Sequence, residues 1–330
     1  MKKVTKIVMM ALCAALALSS CKKNRYTPEE EDKFVPLGFT AVSQAMVKAG
    51  TADFPYDDFG VWGIARTPNV TQPYVLWNSD SMVSVAKGQD DQYIPSSAAY
   101  WAVGYTYDFI AVAPWAKAQS TTAVSTGNAP GTDNLTFALD LADQIDAGNY
   151  QFDLLGAAVE REVTSRPNEP QELTFWHLFT KVCISANFVD CEGGELTKIV
   201  LKNVDSKASY TLSVVDGDIN VVCATNGTEG QKTLTVNGST AEVYLIPQNI
   251  TDLEMYLDFT VSVKPDIETD PVDVTATNFM VNLQSNKDKV YGYNEWYNWK
   301  LTISPKFVKF AEPTVQPWVD GAQIPSVDIK

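Results

Sequence analysis

Short segments in which apolar and polar residues alternate fill most of the chain after residue 34. Alternation with a period of two places every second side chain on the same face of a β-strand, so each segment predicts a strand with one buried face. Clusters of Gly, Asn, Asp and Pro between the segments supply the turns that antiparallel strands require. The clearest predicted strands are Phe59–Ile64, Phe109–Ala113, Tyr210–Val215, Ala241–Ile246 and Leu257–Val263.

Helical periodicity is scarce in the same region. The strongest helix prediction is Phe137–Ala147, where apolar residues recur at a spacing near that of a helical turn. Asp216-Gly217-Asp218 is predicted to be a hairpin turn, because a calcium loop needs more oxygen ligands at regular spacing. No repeat of fixed period is visible. The pattern therefore predicts an all-β fold of two antiparallel β-sandwich domains in series.

The first 20 residues have the layout of a secretory signal peptide, with three lysines followed by the apolar segment Ile7–Leu18. That segment is shorter than the about 20 apolar residues that span a bilayer. Ser19 and Ser20 lead directly into Cys21, and this arrangement resembles the lipobox of bacterial lipoproteins. The resemblance implies that Cys21 is lipidated and becomes the first mature residue. The alternative is a plain signal peptide whose cleavage site contains a cysteine.

The mature chain divides into a tether and two predicted domains. Residues 21–33 are charged and lack apolar periodicity, which is typical of a flexible tether. The polar segment Thr164–Pro170 contains two prolines and lies almost midway along the chain. It predicts a boundary between an N-terminal β-sandwich at residues 34–167 and a C-terminal β-sandwich at residues 168–330.

The charge of the chain limits the classes of partner. Residues 1–20 hold three of the 25 Lys and Arg and none of the 40 Asp and Glu, which leaves 22 basic and 40 acidic residues and a net charge of −18. So acidic a chain, with no long basic cluster, disfavours nucleic-acid binding and electrostatic adhesion to anionic lipid. The lipid on Cys21 would then provide the membrane attachment.

No catalytic constellation is visible in the sequence. His177, the only histidine, lies in the apolar segment Leu173–Val182, where a packed or capping role is more common than a role as a base. No G-x-S-x-G elbow, P-loop or G-x-G-x-x-G accompanies it. Carboxylate pairs are abundant because the chain is acidic. We therefore predict that the protein is not an enzyme and has no catalytic residue, cofactor or metal site.

Three cysteines remain once Cys13 has left with the signal peptide and Cys21 has been lipidated, namely Cys183, Cys191 and Cys223. An odd number allows at most one disulfide and leaves a free thiol. No Cys/His spacing indicates a metal site, and burial as small apolar residues is the favoured state of all three.

Aromatic residues concentrate in the segment Tyr291–Trp299. If exposed, Trp296, Tyr297 and Trp299 would form a platform on which sugar rings stack. Because the segment continues directly into the alternating residues Lys300–Ile303, we favour a strand whose alternate aromatic residues face a core.

Several short segments stand in a characteristic order over essentially the whole mature chain. They are the lipobox at Cys21, Phe59–Trp62, Tyr107–Pro114, Phe152–Ala157, Leu173–Val182, Val243–Gln248 and the ending from Ile303 to Trp318. In this order they resemble the fimbrillin family, lipoprotein pilus subunits of Bacteroides-type bacteria.

The resemblance implies two transthyretin-like β-sandwich domains and a role as a cell-surface fimbrial subunit or adhesin. It implies export to the outer membrane through the lipid on Cys21, and partners that include other fimbrial subunits and a host or bacterial surface receptor. In this family a protease removes an N-terminal strand, and the groove left behind accepts a strand from another subunit. Such strand addition fills unpaired backbone groups and emptied apolar pockets.

Two segments of this chain are candidates for that exchange. The removable strand would present the alternating residues Val35, Leu37, Phe39 and Ala41, and the donor segment would contain Ile324, Val327 and Ile329. In the best-known members the cleavage follows an arginine, but this chain has none between Arg25 and Arg66. Lys48 is the nearest basic candidate for the maturation cleavage.

The alternative function is a surface glycan-binding lipoprotein built from tandem β-sandwiches. A buried Phe39 in an edge strand would favour the fimbrial hypothesis, whereas an exposed platform at Trp296 and Trp299 would favour the glycan-binding one. An acid-catalysed hydrolase would need a deep cleft with two close carboxylates.

Overall fold

The computed structural model describes residues 35–45, 50–68, 73–77, 82–118, 121–125, 133–146, 153–225, 230–249, 252–264, 270–281, 292–305, 307–310 and 314–317. Two short helices, α1 (Trp115–Ala118) and α2 (Ala142–Asp146), and a 3-10 turn at Gln89–Asp91 interrupt a chain of strands. The strands are β1 (Phe39–Ala45), β2 (Gly50–Asp53), β3 (Asp58–Arg66), β4 (Tyr74–Val75), β5 (Val83–Lys87), β6 (Tyr93–Pro95), β7 (Tyr105–Ala113), β8 (Thr121–Ser125), β9 (Asn134–Asp140), β10 (Leu155–Val163), β11 (Gln171–His177), β12 (Thr180–Phe188), β13 (Gly193–Asp205), β14 (Lys207–Val215), β15 (Asp218–Thr225), β16 (Gln231–Asn237), β17 (Thr240–Leu245), β18 (Glu254–Val263), β19 (Val272–Val281), β20 (Glu295–Ser304), β21 (Phe307–Phe310) and β22 (Thr314–Pro317). The all-β class predicted from the sequence is confirmed.

Seven strands form a closed sheet, the barrel, in the cyclic order β1-β11-β10-β7-β3-β5-β6. Strand β1 closes it, because β1 runs parallel to β11 from Phe39↔Gln171 to Ser43↔Phe175 and pairs with β6 through Phe39↔Tyr93. Strands β2 and β4 extend from β1 and β3 respectively. Closure removes the free edges that an open sheet would present, as long as β1 stays in place.

The other described strands form three open sheets. One has the order β17-β12-β20, with β21 and β22 both paired to β20. The second has the order β16-β13-β18-β19, and the third has the order β15-β14-β9-β8. Strands such as β14 and β18 bury every second side chain, as their alternating sequences predicted.

Strands β3 and β7 are buried on both faces, and this explains their nearly continuous apolar sequences. On one face Phe59 and Phe109 point into the barrel. On the other face Trp62 and Ile110 belong to the hydrophobic core that also contains Phe137 of β9 and further residues of the open sheets. The side chains of β3 and β7 that point out of the barrel therefore pack in one core with residues of the open sheets.

The helix predicted at Phe137–Ala147 is wrong in its first half. Residues 134–140 form β9, in which Leu135, Phe137 and Leu139 are buried in alternation, and only Ala142–Asp146 is helical. The residues 134–140 pair with β14 over seven positions, including Phe137↔Tyr210. This pairing joins residues far apart in sequence, so it could override a local helical spacing.

The predicted turn at Asp216-Gly217 is confirmed. It connects β14 to β15 directly, with Val215 paired to Asp218. Asp216 and Gly217 both have positive φ angles, of 52° and 88°, as a two-residue type I′ hairpin requires.

The predicted domain boundary between residues 167 and 168, and the division into two transthyretin-like sandwiches, stay predictions. Strands from both sides of that boundary share two sheets, since β11 pairs with β10 and β1 in the barrel and β9 pairs with β14. The segment 164–170 therefore connects two adjacent antiparallel strands, β10 and β11, of the closed sheet.

Candidate functional site

Strand β1 contains the part of the predicted removable strand that packs most deeply. Phe39 is fully buried, and its ring makes edge-on contacts with Phe59 and Phe109 at centroid distances of 6.2 and 5.2 Å. Leu37 is also buried, and its N–H donates to the carbonyl oxygen of Ala99 at 2.8 Å. Val35 and Ala41 are only half-buried. The predicted apolar face is thus centred on Leu37 and Phe39.

Further aromatic residues surround the position of Phe39 inside the barrel. Phe59 contacts Phe175 and Tyr93, each at a centroid distance of 5.2 Å. Phe54, which follows β2, lies 4.5 Å from Phe175. The interior is therefore an aromatic cluster, to which β1 contributes Phe39.

Several predicted site residues lie outside the described part of the chain. They are the lipidation residue Cys21, the cleavage candidate Lys48 and the donor candidates Ile324, Val327 and Ile329. In the sequence, Lys48 lies between two described residues that pair with each other, Ala45 at the end of β1 and Gly50 at the start of β2. A cut after Lys48 would separate β1 from β2 without cutting any described strand.

The aromatic segment of β20 does not form an exposed platform. Trp299 and Tyr297 are buried in the core shared by the open sheets. Trp296 is half-buried, and the Lys181 ammonium group lies 5.2 Å from the centre of its ring. The interpretation favoured from the sequence, a strand with alternate aromatic residues in a core, is confirmed. The glycan-binding alternative therefore loses the site on which it depended.

His177 is buried at the end of β11. Its Nδ1 lies within hydrogen-bonding distance of the Asp153 carboxylate. The Tyr56 hydroxyl donates to the Asp153 carbonyl oxygen at 2.5 Å and accepts from the Asp153 N–H at 3.2 Å. These contacts join the chain before β10 to the end of β11. The packed role predicted for His177 agrees with this burial.

A buried ion cluster was missed by the sequence analysis. The Arg66 guanidinium, at the end of β3, donates to the carboxylates of Asp108 on β7 and Asp133 before β9, each at 2.6 Å. All three side chains are buried. The signal that could have revealed the cluster is a lone charged residue in an apolar strand sequence, as at Asp108, because such a charge requires a partner. The cluster ties the barrel to the open sheet that contains β9.

A pocket at one end of the barrel interior was also missed. It has a volume of about 400 Å³ and lies where β3 pairs with β4 and where β7 begins. Tyr107 forms part of its wall, on the face of β7 that also carries Phe109. Three more tyrosines, Tyr74, Tyr100 and Tyr105, line it. Tyr74 is distant in sequence from the other three, so the tyrosines concentrated between Tyr100 and Tyr107 do not by themselves indicate the pocket.

Cys183, Cys191 and Cys223 are free thiols. Burial raises the pKa of Cys223 to about 11. Burial also raises the pKa of Cys183, and the nearby Glu242 carboxylate adds to this effect. Both thiols are therefore protonated and weakly nucleophilic near neutral pH, which favours a structural role.

Two further features are absent from the described residues. No group of three or more His, Cys, Asp or Glu side chains there is arranged to hold a metal ion. None of the helices in that part of the chain has the length and apolar character needed to cross a bilayer.

Solved structures share this β-rich fold. A fimbrial protein from Bacteroides vulgatus ATCC 8482 has a TM-score of 0.52 and 14% identity, over 86% of this chain and 99% of that chain. A candidate cell adhesion protein from Bacteroides ovatus ATCC 8483 has a TM-score of 0.50 and 14% identity, over 88% of this chain and 99% of that chain. At these identities the likeness shows the fold alone.

Family membership follows from a comparison of the sequence with models of protein families. The fimbrillin-like family model matches residues 48–318. The chain therefore belongs to the fimbrillin-like family, and the resemblance inferred from its ordered segments is confirmed. A comparison with curated proteins finds no match. Membership of this family indicates a fimbrial or adhesion protein that assembles with other subunits at the cell surface, and favours a structural role over an enzymatic one.

Proposed function

We propose that this protein is an outer-membrane lipoprotein that matures into a fimbrial subunit by exchange of strand β1. The observation that carries the proposal is the position of β1, which closes the barrel near the N-terminal end of the described chain. The ladder with β11, the pairing of Phe39 with Tyr93 of β6 and the buried Phe39 ring make β1 an integral part of the barrel. A cut between β1 and β2 would separate β1 from the strands that follow it while those strands stay connected.

Removal of β1 would create an acceptor groove with defined chemistry. The backbone groups of β11 that pair with five residues of β1 would become a free edge. Phe59 and Phe109 would lose the ring of Phe39 between them. An extended segment with a large apolar residue at the position of Phe39 would restore both the ladder and the packing.

The other steps of assembly depend on segments outside the described residues. We place the maturation cleavage after Lys48, because a cut there separates the ends of β1 and β2. The donor segment is the C-terminal stretch that contains Ile324, Val327 and Ile329, which follows β22 in the chain. Lipidation of Cys21 would hold the precursor at the outer membrane until the cut releases it. The assembled fibre would then meet a host or bacterial surface receptor.

The experiment that tests strand exchange compares three chains treated with a lysine-specific protease. They are the mature wild type, the Lys48→Gln variant and a chain that ends at residue 317. Each product is analysed by mass spectrometry of its N-terminus and by gel electrophoresis in SDS without heating. We expect an N-terminus at Ala49 for the wild type and for the chain that ends at residue 317, but not for Lys48→Gln. We expect an SDS-resistant ladder for the wild type alone.

A competing peptide provides a sharper test of the groove. A peptide of residues 34–45 should suppress the ladder, whereas the same peptide with Phe39→Asp should not, because a charge at this position would be buried without a partner. A wild-type chain that is cut after Lys48 and stays monomeric would refute the proposal. So would polymerisation that is equally efficient in the chain that ends at residue 317.

A further inference from the structure

The tyrosine-lined pocket at the end of the barrel has the chemistry of a site for a neutral ligand. None of its nine described lining residues carries a charged side chain. Its volume of about 400 Å³ falls within the range of about 300 to 1,000 Å³ typical of small-molecule sites, which often lie at the mouths of β-barrels. An ionic ligand would find no counter-charge on these walls.

The wall formed by Tyr107 is fixed before any ligand binds. The Tyr107 hydroxyl accepts a hydrogen bond from the Ala102 N–H at 2.7 Å and donates one to the Tyr100 carbonyl oxygen at 3.3 Å. The Tyr107 ring contacts those of Trp101 and Tyr105 at centroid distances of 4.8 and 6.4 Å. Since Tyr107 is held in place, binding would require little ordering of this wall.

The rim, in contrast, presents aromatic surface to solvent. Tyr74 is 65% exposed and Tyr100 is 48% exposed. Tyr74 lies on the two-residue strand β4, which is paired to the barrel through Ala65 and Ile64. A tyrosine ring combines an apolar face with a polar hydroxyl, so the rim suits a ligand with a flat apolar face and hydrogen-bonding edges.

We propose that this pocket binds a neutral pyranose ring of a surface glycan, stacked against Tyr74 and Tyr105. The axial C–H groups of a pyranose form an apolar face, and its equatorial hydroxyls form a polar edge, which matches the two kinds of surface on the rim. A purely apolar ligand would make no use of the hydrogen-bonding capacity that the Tyr74 and Tyr105 hydroxyls give the rim. A sialylated or uronic-acid glycan is disfavoured by the net charge of −18 on the mature chain.

This inference goes beyond the proposed assembly by strand exchange and can be tested without it. Pro36, which precedes β1, forms an isolated bridge with Tyr100 at the edge of the pocket. The binding experiment therefore uses the mature chain in its uncut, monomeric form, in which this contact is intact. Failure of polymerisation would leave the result unaffected, and failure of binding would leave strand exchange unaffected.

The experiment measures binding of methyl glycosides of glucose, galactose, mannose and N-acetylglucosamine by saturation-transfer NMR and calorimetry. The methyl glycoside of N-acetylneuraminic acid is the anionic comparison. The variants are Tyr74→Ala, Tyr105→Ala and, as a matched control on a different sheet, Tyr256→Ala. Thermal unfolding of each variant confirms that it is folded, and the exposed Tyr74 provides a test should Tyr105→Ala fail to fold.

We expect at least one neutral glycoside to bind and the anionic glycoside to bind at least tenfold more weakly. Tyr74→Ala and Tyr105→Ala should each weaken binding about tenfold, because each removes an aromatic stacking surface. Tyr256→Ala should bind like the wild type. Absence of binding by all four neutral glycosides would overturn the proposal, as would equal binding of the anionic one or full binding by Tyr74→Ala.

Discussion

Replacement of Arg66 by methionine tests whether the buried ion cluster holds the barrel to the open sheet that contains β9. Methionine keeps much of the apolar length of the arginine side chain but removes its charge. The substitution leaves the carboxylates of Asp108 and Asp133 buried, each having been 2.6 Å from a guanidinium nitrogen. Two like charges then remain in a region of low polarity without the cation that both of them contacted.

The expected cost follows from the burial of all three groups. Removing one partner of a buried ion pair destabilises a protein by about 3 to 5 kcal/mol. Repulsion between the two carboxylates adds to this cost, because both of them contacted one guanidinium group and therefore lie close together. We expect the free energy of unfolding to fall by about 4 kcal/mol at pH 7. Adding Asp108→Asn and Asp133→Asn to Arg66→Met should recover part of the loss, since it removes the uncompensated charges.

Urea denaturation followed by circular dichroism measures this change. The matched control is Lys87→Met, which removes an exposed ion pair in which the Lys87 ammonium lies 2.9 Å from the Asp91 carboxylate. Because solvent screens that pair, the control should unfold at the wild-type urea concentration. A loss below about 1 kcal/mol for Arg66→Met would refute the reasoning. So would a triple variant that is less stable than Arg66→Met alone.

Three further predictions concern packing, titration and backbone conformation. Phe39→Ala should reduce the free energy of unfolding by about 3 to 5 kcal/mol, whereas Phe279→Ala, whose side chain is 39% exposed, should cost clearly less in the same urea titration. Because the pKa of Cys223 is raised from 9.0 to about 11, its protonated form stabilises the fold below pH 9, and this stability is lost as the pH rises towards 11. Cys223→Ala should therefore lose less stability than the wild type between pH 9 and 11, and equal losses would contradict this assignment. Gly217→Ala should reduce the free energy of unfolding by about 1 to 2 kcal/mol, because φ at Gly217 is +88°. Gly193→Ala is the matched control, since an added Cβ meets nothing within 4 Å at either glycine, and it should reduce the free energy of unfolding little. Equal shifts of the melting temperature in the two variants would argue against the turn conformation.

Much of the strand content could be predicted because alternation is a local property. The predicted segments Phe59–Ile64, Phe109–Ala113, Tyr210–Val215 and Leu257–Val263 all lie within observed strands. Alternating burial requires only that one face of the strand be covered, whatever covers it. The turn at Asp216-Gly217 was predictable for a similar reason, since positive φ angles at two adjacent residues favour Asp and Gly.

The features that could not be predicted all depend on residues distant in sequence. Pairing of β9 with β14 converted half of a predicted helix into a strand. The Arg66 cluster joins residues 42 and 67 positions away from the arginine. The tyrosine pocket collects side chains from three separate segments at the end of the barrel. A short window of sequence shows only part of each feature, such as the lone charge of Asp108 or the tyrosines between Tyr100 and Tyr107.

The sequence by itself determined the all-β class and the family, and it placed Phe39 on the apolar face of an alternating segment. Strand alternation and segment order are both visible along one dimension. Only the tertiary structure decided that β1 closes a barrel by pairing in parallel with β11, that Trp299 is buried rather than exposed, and that four tyrosines meet in one pocket. The physical reason is that closure, burial and pocket formation depend on which strands become neighbours. That choice is made by the free energy of the whole packed chain and not by any one of its segments.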